Sequence, residues 1–68
     1  MDEFCGFSTG GPCLADEDCV RDGCGGEVCR SVYEDPVVTV CVWKECLDPE
    51  RYGLVCRCVE NHCAWWRA

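Results

Sequence analysis

Leu54-Val55-Cys56-Arg57-Cys58-Val59-Glu60-Asn61-His62-Cys63-Ala64-Trp65-Trp66 carries three cysteines on what reads as a β-hairpin turning at Glu60-Asn61-His62. Successive strand side chains point to opposite faces, so Cys56 and Cys58 project to one side and cannot bridge each other without severe strain. Each needs its own partner elsewhere. Two cross-links leaving one short strand imply a fold organised by sulfur, and the composition agrees. Cys5, Cys13, Cys19, Cys24, Cys29, Cys41, Cys46, Cys56, Cys58 and Cys63 make ten of the 68 residues, about 15%, above the ~8 to 10% level at which a short chain is a cross-linked scaffold. A chain of this length forms one domain at most, and its small core does little better than cancel the entropy of ordering it. Five disulfides at ~2 to 4 kcal/mol each, discounted for overlapping loops, supply the margin. High thermal tolerance that disappears with strong reductant is the expected consequence. The pairing stays open, because ten cysteines allow on the order of a thousand connectivities.

The expected fold class is therefore small and disulfide-rich: short β-hairpins, one or two helical turns and little other regular structure, as a single domain over 1–68. Residues 1–15 read as an ordered, Gly-rich arm with Phe4, Phe7 and a Gly10-Gly11-Pro12 turn. Residues 14–20, with the acidic Asp16-Glu17-Asp18, suit one or two helical turns ended by Gly23. Residues 27–33 alternate and precede the β-branched Val37-Val38-Thr39-Val40-Cys41-Val42-Trp43 across a Glu34-Asp35-Pro36 turn, a pattern that predicts a hairpin. Asp48-Pro49-Glu50-Arg51-Tyr52-Gly53 has a cap, a Pro for the first helical position and a Gly stop, the signature of one surface turn.

On the middle strand Val37, Thr39, Cys41 and Trp43 share one face, so burying the sulfur turns Val38, Val40 and Val42 outward. Burying Cys56 and Cys58 likewise turns Val55 and Val59 away, with Trp66 on that side. A partner or a second copy would fit such an apolar strand face. The commoner outcome in small proteins is that something covers it, here the Phe4 and Phe7 arm or the acidic turn.

Thirteen acidic against six basic residues give a net charge of -7, which repels phosphate backbones and anionic headgroups, so nucleic acid and membrane surfaces are poor partners. No apolar run reaches the ~20 residues of a membrane span. The start, Met1-Asp2-Glu3-Phe4, is acidic where a secretory signal would be basic and then apolar; Met1 reads as native or as a start added to a mature domain. Zinc or iron-sulfur ligation is the competing use of the cysteines, but no C-x2-C occurs and ten thiolates do not divide into sets of four. Asp16, Asp18 and Asp22 lack the remaining ligands of a calcium loop, with Val20 and Arg21 standing in their way. No cofactor is expected. Catalysis would have to rest on His62 with Ser8 or Ser31, on a scaffold with little concave volume, so no enzyme is expected either.

The elements Gly23-Cys24-Gly25-Gly26-Glu27-Val28-Cys29, Thr39-Val40-Cys41-Val42-Trp43, Glu45-Cys46, Cys56-Arg57-Cys58-Val59 and Cys63-Ala64-Trp65 occur in an order that resembles the eight-cysteine-cluster proteins of archaea and bacteria. The likeness covers 16–65, within a cluster placed at 16–66. Cys5 and Cys13 lie outside it as an added N-terminal pair. The resemblance implies a fold and no reaction. It also leaves two compartments open: the extracellular space or cell envelope, and the cytoplasm of a hyperthermophile, where intracellular disulfides persist.

The expected function is that of a non-catalytic, disulfide-stabilised binding module, since a rigid frame lowers the entropy lost on binding. Its sharpest form is a protease inhibitor displaying Glu50, Arg51 and Tyr52 from the loop 46–56. Val38, Val40, Val42 and Trp66 are the other candidate contacts. The alternative class is a thiolate metal or redox protein.

Overall fold

Five short strands and three 3-10 turns make up the regular structure of residues 3–68, which the computed structural model describes; Met1 and Asp2 of the arm lie outside the described residues. The strands are β1 (Phe7–Ser8), β2 (Cys19–Asp22), β3 (Val28–Ser31), β4 (Leu54–Val59) and β5 (His62–Arg67), and the turns are Asp16–Asp18, Glu45–Leu47 and Pro49–Tyr52. Among the described residues there is no α-helix, and none is long and apolar enough to cross a membrane.

The C-terminal hairpin forms as its alternation requires. β4 and β5 pair antiparallel with Cys58 opposite Cys63 and Cys56 opposite Trp65, so the sulfurs and Trp65 share one face. Glu60 and Asn61, both at positive φ, make the tight connection. The turn at Pro49–Tyr52 also follows the sequence: the Asp48 carboxylate accepts from the Glu50 N–H at 3.1 Å, and Gly53 closes the turn at φ 66°, a conformation costly for a residue with a Cβ.

Two expectations fail. The helical reading of 14–20 holds only for the single turn Asp16–Asp18, where the Asp18 carboxylate accepts from the N–H groups of Leu14 and Ala15. Cys19, Val20 and Arg21 continue as a strand. The hairpin between 27–33 and 37–43 does not form. β3 pairs antiparallel with β2 through the turn 23–26, and parallel with β1 on its other edge, giving the order β1-β3-β2. With both edges occupied, β3 has no hydrogen bonds left for 37–43, which runs extended outside any sheet. The arm supplies the third strand and is less irregular than its glycines suggest.

Five disulfides join these pieces: Cys5–Cys46, Cys13–Cys58, Cys19–Cys63, Cys24–Cys41 and Cys29–Cys56. Cys56 and Cys58 take separate partners, as strand geometry demands. Cys5 and Cys13 do not bond each other; each reaches into the later cysteines, so the arm is stitched into the cluster. The core is correspondingly sulfurous. Cys13, Cys19, Cys29 and Cys63 are buried together, with Cys56, Cys58 and Trp65 packed against them. Cys29–Cys56 and Cys19–Cys63 tie the three-stranded sheet to the hairpin. Trp65 anchors the contact by donating its indole N–H to the carbonyls of Phe7 and Glu27, both at 3.0 Å, while Phe4 meets its ring edge-on at 5.5 Å.

Candidate interaction surface

The segment 37–43 has strand composition without a sheet, and it is held to the body at alternate residues. The Val37 N–H donates to the Asp22 carboxylate at 2.7 Å. Two residues on, the Thr39 hydroxyl donates to the Glu27 carboxylate and accepts from the Cys24 N–H. Cys41 is bonded to Cys24. The Trp43 ring lies over Gly25, where an added Cβ would sit 3.4 Å from its Cε3. Gly23 is required beneath this clip: it lies at φ 84°, and a Cβ there would meet the Glu27 and Thr39 oxygens at 2.7 and 2.9 Å.

The electrostatics hold the clip closed. The Val37 N–H, then Arg30 at 2.5 Å, bring the Asp22 carboxyl down to about 2. For Glu27, burial pushes the pKa up, yet the Thr39 hydroxyl and the N–H groups of Glu27 and Gly25 outweigh it and leave the carboxyl below its usual range. Both are anions at neutral pH.

The other face of the segment is open. Val38, Val40 and Val42 are 92%, 78% and 56% exposed, and Trp43 is 59% exposed at its end. The expectation that the arm or the acidic turn covers the valines is therefore overturned: Phe4 is spent on Tyr52 and Trp65, and Phe7 borders a shallow groove with Val40, Val42, Lys44 and Leu47. Moreover, no backbone–backbone hydrogen bond reaches residues 37–43 among the described residues. The result is an uncharged segment whose main-chain groups, the Val37 N–H apart, have no hydrogen-bond partner among the described residues.

The remaining candidates lie apart from it. Glu50 and Arg51 project from the turn Pro49–Tyr52 toward Arg21 at 3.8 Å and Glu45 at 3.5 Å. Tyr52 turns inward to meet the edge of Phe4, with its hydroxyl buried and without a hydrogen-bond partner in the structure. Trp66 pairs across the hairpin with Val55, both partly exposed, as a second and smaller apolar spot. The His62 ring is hydrogen-bonded to the Gly10 carbonyl at 2.9 Å, and the Ser31 hydroxyl donates to the Pro12 carbonyl at 2.6 Å. The sulfurs of Cys13, Cys19 and Cys63 lie within 4.8 Å of one another, but each is in a disulfide, as are all ten cysteines.

Sequence reasoning missed the clip. Its signals were present: Thr39 is the one polar side chain in an apolar run, and Glu27 follows two glycines at the mouth of a strand. Only the fold shows that they meet.

Fold and surface together define a small cysteine-rich domain in which disulfides replace an oily core. Comparison of the chain with protein-family models, curated proteins and solved structures finds no match.

Proposed function

We propose that this protein is a non-catalytic binding module that presents residues 37–43 to a protein partner as a preformed strand edge. One observation carries the reading: a β-branched segment with no backbone–backbone hydrogen bonds among the described residues is nonetheless anchored by a disulfide and two carboxylates. A strand added to such an edge gains main-chain hydrogen bonds for affinity and alternate side-chain contacts for specificity. Little ordering entropy is lost on this side, because the edge is already fixed.

The loop 46–56 supports an inhibitor role less well, since its tip is a closed 3-10 turn with Tyr52 directed inward. A thiolate role would require bonds to be broken that the fold depends on. The resemblance to eight-cysteine-cluster proteins fits the scaffold but gives no activity, and Cys46 and Cys58 of that set pair with the two cysteines of the arm. Five disulfides suit an oxidising compartment, outside the cell or in its envelope, with a hyperthermophile's cytoplasm as the alternative.

The test is capture of a partner by the oxidised protein and by its Val40→Pro variant, which loses one edge N–H and keeps every disulfide. Amides 38–43 should exchange rapidly in the free protein and slowly in the complex. Equal capture by both proteins would refute the role of the edge.

A further inference from the structure

The edge is polarised. Residues 36–43 carry no charge; Glu34 and Asp35 precede them, and Lys44, the single lysine of the chain, follows. Glu45, next in line, is matched by Arg51 at 3.5 Å, so the C-terminal end keeps a net positive charge. At the other end the Thr9 hydroxyl, then the Ser31 N–H, hold the Glu34 carboxyl below its usual range, so this end stays anionic at neutral pH. A parallel pair of such edges would set like ends together. An antiparallel pair sets unlike ends together twice.

Resting on the reading of 37–43 as a binding edge, we infer that its partner is a second copy of this chain, paired antiparallel about a two-fold axis at Val40. The side chains are self-complementary in that register. Val40 lies opposite Val40 of the second copy, and Val38 opposite Val42, so six valines form one continuous face. Val37 lies opposite Trp43, an aromatic and β-branched pairing of the kind that stabilises adjacent strands. Pro36, which has no N–H to donate, falls opposite Lys44 at the end of the ladder, where strands tolerate proline. By the same alternation Lys44 shares its face with Glu34 of the second copy, on the diagonal, while Asp35 falls opposite Glu45, which Arg51 matches at 3.5 Å. Each contact is made twice, as a closed isologous interface requires.

Opposing this is the charge of -7 on each copy. At 0.15 M salt the screening length is about 8 Å, well short of the molecule's 24 Å intermediate dimension, so the charges of the two bodies are largely hidden from each other. The end charges, diagonal neighbours about 7–8 Å apart, are not. Association is therefore stronger at 0.15 M salt than at 0.01 M.

Sedimentation equilibrium on the oxidised protein tests this directly. A reversible monomer–dimer equilibrium is expected. Lys44→Glu should raise the dissociation constant about tenfold, and Lys44→Arg should leave it near the starting value. Val40→Lys should give a monomer with all five disulfides intact by mass. A protein that stays monomeric to millimolar concentration overturns the self-pairing; amides 38–43 that nevertheless gain protection on another protein would leave the binding edge standing. A dimer indifferent to Lys44→Glu overturns the antiparallel register, and binding that only weakens with salt points to a basic partner instead.

Discussion

Valine occupies two opposite situations in this molecule. Val28, at the centre of the three-stranded sheet, is fully buried beside Cys29, whereas Val38 is 92% exposed on a segment of stronger β-propensity. Around Val28, bridges with sequence separations of 44 and 27 draw two sheets together, and most of their cysteines are buried. Around Val38 a single bridge, of separation 17 and with both cysteines exposed, helps fix an edge to the surface. Burial in so small a domain thus follows the cross-links more than hydropathy. Where sulfur pulls two layers together a core exists; where it only pins a segment down, apolar residues stay in water and remain available.

Removing bridges should separate the two regions most strongly. Cys19→Ala with Cys63→Ala deletes a fully interior link, worth roughly 4 kcal/mol in loop-closure entropy for its length. That is a large share of the ~5 to 15 kcal/mol typical of a domain, and the midpoint of thermal unfolding should fall by roughly 15 to 30 °C. Cys24→Ala with Cys41→Ala closes a shorter loop, worth about 3 kcal/mol at most. Its effect should be local: the Cys24 and Val37 amides, bonded to Thr39 and Asp22, lose protection while those of β3 and β5 keep theirs. Equal loss of protection throughout would show that the edge belongs to the cooperative core.

How much of this could be read beforehand follows the range of the forces involved. The hairpin β4-β5, the separate destinations of Cys56 and Cys58, and the capped turn at Pro49–Tyr52 depend on neighbours within a few residues, and all were legible. The alternation of 37–43 was legible too, and with it the outward valines. Its lack of a strand partner was not, because the edges of β3 are taken by Cys19–Asp22 and Phe7–Ser8, segments whose acidic and Gly-rich surroundings disguise strand pairing. Nor could the clip be seen, since Asp22, Glu27 and Thr39 meet only after the turn 23–26 has folded.

A core substitution gives a finer comparison. Val28→Ala should cost about 2 kcal/mol, the loss of buried methyl groups from a site that disulfides prevent from collapsing. Acid should act on the clip and spare β5. The Asp22 carboxyl titrates at about 2 in the fold against 3.8 for the free group, chiefly because it accepts from the Val37 N–H. A depressed folded pKa contributes stability that is complete above the unfolded value and lost as pH falls, so the clip should loosen between pH 3.8 and about 2. The Val37 amide should shift and exchange faster over that window, while amides of β5, locked by bonds that do not titrate, stay unchanged. Loosening that begins near neutral pH would contradict the carboxylate clip.

The smallest effect is the most informative about purpose. Val40→Ala removes the same atoms as Val28→Ala from a side chain 78% exposed, so it should change stability by no more than about 0.5 kcal/mol. If folding alone had shaped this edge, the substitution would be silent in every assay. If the edge is a contact, it should weaken association measurably, because the lost methyl groups face their counterparts at the centre of the pairing. Thermal unfolding and sedimentation of one variant therefore answer separate questions: an unchanged melt with weaker association assigns Val40 to binding. A melt that falls as far as that of Val28→Ala would place Val40 in the folding core, and the distinction between the two valines would vanish.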